Sequence, residues 1–264
     1  MVEIIDTHSH LYGEEFLEDI EAVIQRCKDV GVSQILLPNI DLESVDKMHV
    51  LCEAYPDICL PMMGLHPCSV DANYKETLNV LYDNFQRRDY CGIGEIGMDL
   101  FWDVTTQDWQ EDAFLTQIEW AIEKNLGVSI HSRNATQRVI ELLKPYKGKL
   151  TGVFHCFTES LELAQEIIKL DFYLGIGGVS TFKKAGVVSV IQELGLERLV
   201  LETDSPYLAP TPFRGKRNES SYTAIIGKFI ADSLVVSLDK VAEVTTLNAR
   251  HIYKINEPKA KVTV

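Results

Sequence analysis

Two histidines one residue apart, His8 and His10, follow a short apolar run, Val2-Glu3-Ile4-Ile5, that stops at Asp6-Thr7. Side chains alternate faces along a strand, so positions i and i+2 point the same way and both imidazoles can reach one centre from a strand end. Neutral imidazoles placed like this suit a divalent metal such as Zn, Mn, Fe or Ni. A lone His-x-His reads equally well as two surface histidines, so the weight falls on where the other acids and imidazoles lie. The cysteines Cys27, Cys52, Cys59, Cys68, Cys91 and Cys156 form no C-x-x-C pair and lack the dense spacing of a disulfide framework, which leaves free, mostly buried thiols. Cys156 adjoins His155, but strand neighbours face opposite sides and make no thiol–imidazole pair.

The elements that must position these residues follow from the apolar periodicity. β-rich runs at Val2–His8, Ser33–Pro38, Ile58–Gly64, Cys91–Glu95, Gly127–His131, Leu150–His155, Phe172–Gly175 and Arg198–Thr203 read as strands. Helices read as Glu14–Val30, Leu42–Ala54, Lys75–Arg87, Gln107–Lys124, Ala135–Leu143, Leu161–Lys169, Val187–Leu194 and Ser221–Val235; Ile20, Val23, Ile24 and Cys27 show the stripe. A last helix, about Leu238–Ile252, follows as an appendage. Eight β-then-α units fit a closed (β/α)₈ TIM barrel, an α/β fold for which about 250 residues is typical. The 264-residue chain thus reads as one domain over 1–264. An open doubly wound sheet competes, but no G-x-G-x-x-G follows the first strand. The one long loop-like stretch is Ser205–Ser220, and a loop of that length in a compact domain is more often functional than idle.

Composition bounds the function. No apolar run approaches the ~20 residues of a membrane helix, and no leader-like start precedes the first strand, so the expectation is a cytoplasmic protein with no membrane and no obligate protein partner. A net charge of −14 excludes a global basic face for a long nucleic-acid footprint. Phosphate recognition has to be local, through metal ions and a few arginines.

On the strand list above, the metal-binding residue types gather at C-terminal strand ends. His8 and His10 stand at the end of the first strand, His66 follows the third and Asp204 the eighth, while Glu95, His131 and His155 end the fourth, fifth and sixth. Of the seven histidines only His49 and His251 lie in helices. Active sites of such barrels form at that C-terminal face.

The motifs now in view are Asp6-Thr7-His8-Ser9-His10-Leu11, Gly64-Leu65-His66-Pro67 and Gly94-Glu95-Ile96-Gly97-Met98-Asp99. With them stand Ile130-His131-Ser132-Arg133, His155-Cys156-Phe157-Thr158, Leu201-Glu202-Thr203-Asp204-Ser205-Pro206-Tyr207-Leu208 and Arg214-Gly215-Lys216-Arg217-Asn218-Glu219. In this order the chain resembles the TatD family of metal-dependent deoxyribonucleases, within the amidohydrolase-like barrels. Departures are small: Ser220, Glu159 and Met98 replace a usual proline, glycine and leucine.

The resemblance implies two divalent ions per chain (Mg, Mn, Zn, Fe or Ni), with His8, His10, Glu95 and Asp204 around one and Glu95, His131 and His155 around the other. It implies hydrolysis of DNA or another phosphodiester, at ends or in single strands. An amidohydrolase-like reaction on a small anionic ester, lactone or amide is the competing reading. Asp204 is the best general base beside Glu95, although an Asp before Ser-Pro also caps turns. Glu202 shares its face and reads either as a carboxylate orienting a ligand histidine or as a strand-end charge paired to an arginine. His66, set in a turn by Pro67, reads as a substrate contact, and Arg133 as a phosphate fork. Arg214, Lys216 and Arg217, with Asn218, form a basic lip in the long loop. Phe101 and Trp102 either stack a terminal base or cap the mouth.

Overall fold

The computed structural model describes residues 3–255, so Val2 of the first expected strand lies outside the described residues. The strands are β1 (Ile4–Asp6), β2 (Val32–Pro38), β3 (Cys59–Met63), β4 (Gly92–Asp99), β5 (Gly127–Arg133), β6 (Gly152–Phe154), β7 (Tyr173–Ile176) and β8 (Leu199–Leu201). They pair in chain order, every pair parallel. The seam between β8 and β1 closes through Thr7 N to Leu201 O at 3.0 Å, Asp204 N to His8 O at 2.9 Å and His10 N to Ser205 O at 2.7 Å. The expected barrel is therefore the observed one.

The outer layer is α1 (Ile20–Asp29), α2 (Leu42–Ala54), α3 (Tyr74–Phe85), α4 (Gln107–Lys124), α5 (Thr136–Leu143), α6 (Leu161–Lys169), α7 (Val187–Leu194) and α8 (Thr223–Leu234). The first expected helix, Glu14–Val30, is split: a 3₁₀ turn at Glu14–Phe16 precedes α1. Phe16 is turned into the core there, and the Asp19 carboxylate is held by Arg217 and Arg26 instead of capping α1. No single helix among the described residues is long and apolar enough to cross a membrane.

The last helix, α9 (Leu238–Tyr253), corrects the expectation of an appendage. Its Ala249, Ile252 and Tyr253 join Ile5, Leu36, Met62, Val153, Tyr173 and Val200 in one buried cluster inside the strands. Gly127 opens β5 against this plug; a Cβ there would stand 2.5 Å from the Ile252 carbonyl oxygen. Arg250 pairs with Glu3, and Thr246 donates to the Glu3 carbonyl at 2.9 Å, fastening the plug to β1. With its N-terminal end stoppered, the barrel opens at its C-terminal end.

Candidate active site

Glu95 stands at the centre of that open end. The expected strand stopped at Glu95, but β4 continues to Asp99. Pairing steps from Ile93↔Val128 to Ile96↔Ile130, so Gly94 and Glu95 together face Ser129 as a bulge. Asn39 holds the bulge from β2's side, accepting from Glu95 N at 2.9 Å and donating its own amide to Gly94 O at 3.0 Å. A bulge re-aims a side chain mid-strand, and here it directs a buried carboxylate into the mouth.

The two oxygens of Glu95 divide the surrounding side chains. Oε2 lies 3.2 Å from His8 Nε2 and 3.4 Å from His10 Nε2, and these nitrogens are 3.9 and 3.6 Å from Asp204 Oδ1. Oε1 lies 2.8 Å from His155 Nε2, 3.0 Å from His131 Nδ1 and 3.2 Å from His66 Nε2. The His8 and His155 rings stack at 3.9 Å, joining the halves. All six residues expected around metal thus meet at one place, and His66 joins them.

What each imidazole does with its other nitrogen distinguishes ligands from bystanders. A metal-bound histidine donates its outer N–H to an acceptor. His131 Nε2 faces Asp99 Oδ2 at 2.9 Å. His10 Nδ1 faces Tyr12 Oη at 2.8 Å, and that hydroxyl spends its own proton on Pro38 O at 2.6 Å, so His10 is the donor. His8 Nδ1 lies 2.9 Å from Ser129 Oγ. With the outer nitrogens of His10 and His131 turned to these acceptors, their inner nitrogens are the ones left to meet a cation. His66 is wired the opposite way: Nδ1 accepts from Cys68 N at 3.0 Å, which leaves Nε2 as an N–H donor into the mouth. That arrangement fits a substrate contact.

Asp204 follows β8 in a left-handed backbone conformation, φ 55°, which Asp tolerates better than most residues. The turn amide of Tyr207 bonds the Asp204 carbonyl at 2.9 Å, so the turn does not need the carboxylate, which faces His8 and His10. Beneath it Asn218 is fully buried and donates to Thr203 O at 2.7 Å and Tyr207 O at 2.6 Å. Asn218 therefore braces the Asp204 turn and is no part of a lip. Asp6, also buried, accepts from Thr203 N at 2.9 Å and Thr203 Oγ1 at 2.6 Å. Glu202 lies behind His155: its Oε1 accepts from Cys156 N at 2.5 Å and stands 3.8 Å from His155 Nδ1, with no arginine paired to it among the described residues. Gly175 makes room for it, since a Cβ there would stand 2.1 Å from Glu202 Oε2.

The electrostatics fit a cation. His8 Nε2 and His10 Nε2 are 3.2 Å apart, and His131 Nδ1 and His155 Nε2 are 3.3 Å apart. Such inner nitrogens repel unless positive charge lies among them. Burial pulls His155 and His131 down, but carboxylates (Glu95 and Glu202 at His155, Asp99 and Glu95 at His131) outweigh it and hold both up. Burial prevails at His8 and His66 and holds them low. Glu95 is raised by burial, yet His66, His155 and His8 overcome that and hold it well below the usual carboxylate range. Burial pushes Asp204 up to about 6 against the pull of His155 and His10. Asp99 is drawn down to about 2, against burial, by His131 and the amides of Phe101 and Trp102. A divalent cation meets the same demand for positive charge, and the mixed imidazole–carboxylate set suits Zn, Mn, Fe or Ni better than an all-oxygen set would.

Arg133, Arg214 and Arg217 divide. Arg133 lies inside β5, on the same face as His131, its guanidinium 3.8 Å from the Phe101 ring centre. Arg214 is exposed over the Phe182 ring at 4.5 Å. Neither has a carboxylate partner among the described residues. Arg217 is committed elsewhere: both terminal nitrogens reach Asp19 at 2.7 Å, one also donates to Glu15 O at 2.6 Å, and the group lies over Phe16.

Asp99, Tyr12 and Ser129, the partners of the histidines around Glu95, are not singled out in that role by the sequence. Asp99 sat inside a motif already singled out, and Tyr12 is two residues beyond His10; Ser129 left no signal before the bulge was known.

Comparison with known proteins places this geometry. A family model described as TatD related DNase matches residues 5–254. A metal-dependent hydrolase of Bacillus subtilis, YabD, is 37% identical over 255 residues, covering 96% of this chain and all of the relative. A 3'-5' ssDNA/RNA exonuclease, TatD, of Pectobacterium parmentieri is 30% identical over 259 residues, covering 96% of this chain and 100% of the relative. The crystal structure of YJJV, a TatD homolog from Escherichia coli, superposes with a TM-score of 0.90 at 29% identity, covering 96% of this chain and 98% of that one. A match running from β1 to the end of α9 takes in the barrel, its plug and every side chain around Glu95, and so this chain belongs to the TatD-related DNase family of metal-dependent hydrolases.

Proposed function

We propose that this hydrolase cleaves phosphodiester bonds at DNA ends or in short single strands, holding two divalent ions across Glu95. His8, His10, Glu95 and Asp204 would hold one; Glu95, His131 and His155 would hold the other. The observation carrying this reading is that the two Glu95 oxygens face two separate sets of side chains, each with an imidazole whose outer N–H is already given to an acceptor. When bound, such ions lower the pKa of water and draw charge from phosphate oxygens. The chain's own groups do the rest. Asp204 takes the proton of the attacking water. His66 donates Nε2–H to a phosphate oxygen, and Arg133 offers its fork to the same or the next phosphate. The net charge of −14 confines recognition to these few groups.

The test uses chelator-stripped protein restored with Mg, Mn, Zn, Fe or Ni and offered end-labelled single strands, duplexes, lactones and amides side by side. Progressive shortening of single-stranded DNA, abolished by chelation, is the expected outcome. Turnover of lactones or amides with intact DNA would replace the nuclease reading by the small-molecule one.

A further inference from the structure

Beside the ligand cluster lies an exposed aromatic step that the hydrolytic groups do not use. Phe101 is 50% and Trp102 70% solvent-exposed, although both adjoin the buried end of β4. Large aromatic rings left in water beside a reaction centre invite a flat partner. Their turn is not loose. Asp99 Oδ1 accepts from Phe101 N at 2.9 Å and Trp102 N at 3.1 Å, while Oδ2 of the same carboxylate faces His131 Nε2 at 2.9 Å. One carboxylate thus fixes an imidazole of the Glu95 cluster and the turn bearing the rings. Leu100 N, donating to Arg133 O at 2.9 Å, ties the turn to β5. The Phe101 and Trp102 rings stand edge to face at 4.9 Å, with the Arg133 guanidinium 3.8 Å from one ring centre and 5.4 Å from the other.

We infer that Phe101, Trp102 and Arg133 form a subsite for the nucleotide next to the scissile phosphate: the base stacks on the aromatic step and its phosphate meets the guanidinium. The occupant is a nucleobase of a single strand because the step offers a π face and a cation without a carboxylate partner among the described residues, on a chain whose charge of −14 otherwise repels polyanions. A duplex end, with its bases already stacked and paired, presents no free face. Stacking tolerates any base, so the subsite selects strandedness and not sequence.

This inference rests on the nuclease reading, and the experiment separates the two. Chelated full-length protein is titrated into a short single strand whose terminal base is 2-aminopurine, and its fluorescence is read. Wild type quenches the probe; Trp102→Ala, a change at an exposed ring, weakens binding by roughly tenfold, the scale of one base–aromatic stack, and Trp102→Phe restores most of it. With metal, Trp102→Ala raises KM by a similar factor while kcat holds, and the difference from wild type vanishes on a strand lacking that terminal base. Equal quenching by Trp102→Ala and wild type, no quenching by either, or a KM rise that persists on the abasic strand, each overturns the subsite. Absence of phosphodiester cleavage by wild type, with quenching intact, overturns the nuclease reading and leaves the base-binding step standing.

Discussion

The same residue types serve opposite ends in two regions of the molecule. At the rim between β4 and β5, Arg133 is spread over Phe101 and Trp102 with no carboxylate within ion-pair distance among the described residues, and His131 turns a nitrogen toward Glu95. At the rim after β8 and in the helical wall, Arg217 is clasped by Asp19, and His49 is buried against the Tyr90 hydroxyl at 2.9 Å. An arginine whose charge a nearby acid already satisfies has little left for a phosphate. One lying on aromatic faces keeps all its donors. The difference is set by partners, not by residue type.

The largest effect that would sharpen this contrast lies at the centre. Glu95→Ala removes the one carboxylate shared by both sets of imidazoles. It is expected to lower kcat/KM on single-stranded DNA by at least about a thousandfold, the several kcal/mol that metal catalysis supplies at 1.36 kcal/mol per decade. Circular dichroism should show the barrel intact, since α9 plugs its far end independently of Glu95. Retained activity with depleted metal would break the assignment. One step out, Asp99→Asn leaves the turn amides an acceptor in its remaining oxygen but sets an NH2 donor where the oxygen facing His131 stood. The expected cost is about 10–100-fold in metal affinity or activity, the usual toll for a partner of a metal-bound histidine, read by metal titration.

The arginines provide the middle of the scale. Arg133→Ala is expected to reduce kcat/KM on DNA roughly tenfold, the loss of one charge-assisted contact, with melting temperature unchanged. Arg217→Ala is expected to do the reverse: kcat/KM is kept, and the melting temperature falls by about 2–4 °C for the ~1 kcal/mol of a well-formed, partly exposed ion pair. If Arg217→Ala impaired catalysis and Arg133→Ala only stability, the partition between the two rims would be wrong.

Those two arginines also mark how far sequence reading reaches. Strand ends and the side chains that gather around Glu95 are legible because short-range rules govern them: alternation in β1 aims His8 and His10 together, and apolar periodicity delimits α2, α4, α6 and α7 as found. Arg133 and Arg217 looked alike in the chain because what separates them is long-range. Arg217 meets Asp19, 198 positions away, across the closing seam. The plug made by α9 was hidden for the same reason, since its amphipathic stripe says that something is buried but not which end of the barrel it fills. The bulge at Glu95 left no local mark either, so the strand was cut short at the residue it delivers.

The smallest effect concerns a histidine kept for structure. His49 lies in α2 with burial holding its imidazole below its ordinary pKa, and with Arg88 adding to that against the opposing pull of Asp46 and Glu53. In the fold it therefore takes up its proton only at a lower pH than in the unfolded chain, where it does so as pH drops through about 6.5. Below that pH the unfolded state binds more protons than the folded one, so stability is present above about 6.5 and is lost as pH falls. His49→Gln, which keeps an amide donor for Tyr90 but cannot titrate, should therefore flatten the fall in melting temperature between about pH 7 and pH 5 relative to wild type. Arg133→Ala, on the other rim, should leave that slope untouched. Parallel curves for His49→Gln and wild type would mean that the wall histidine takes up its proton as readily in the fold as in the unfolded chain, and the division between histidines that serve the centre and those that serve the wall would have to be redrawn.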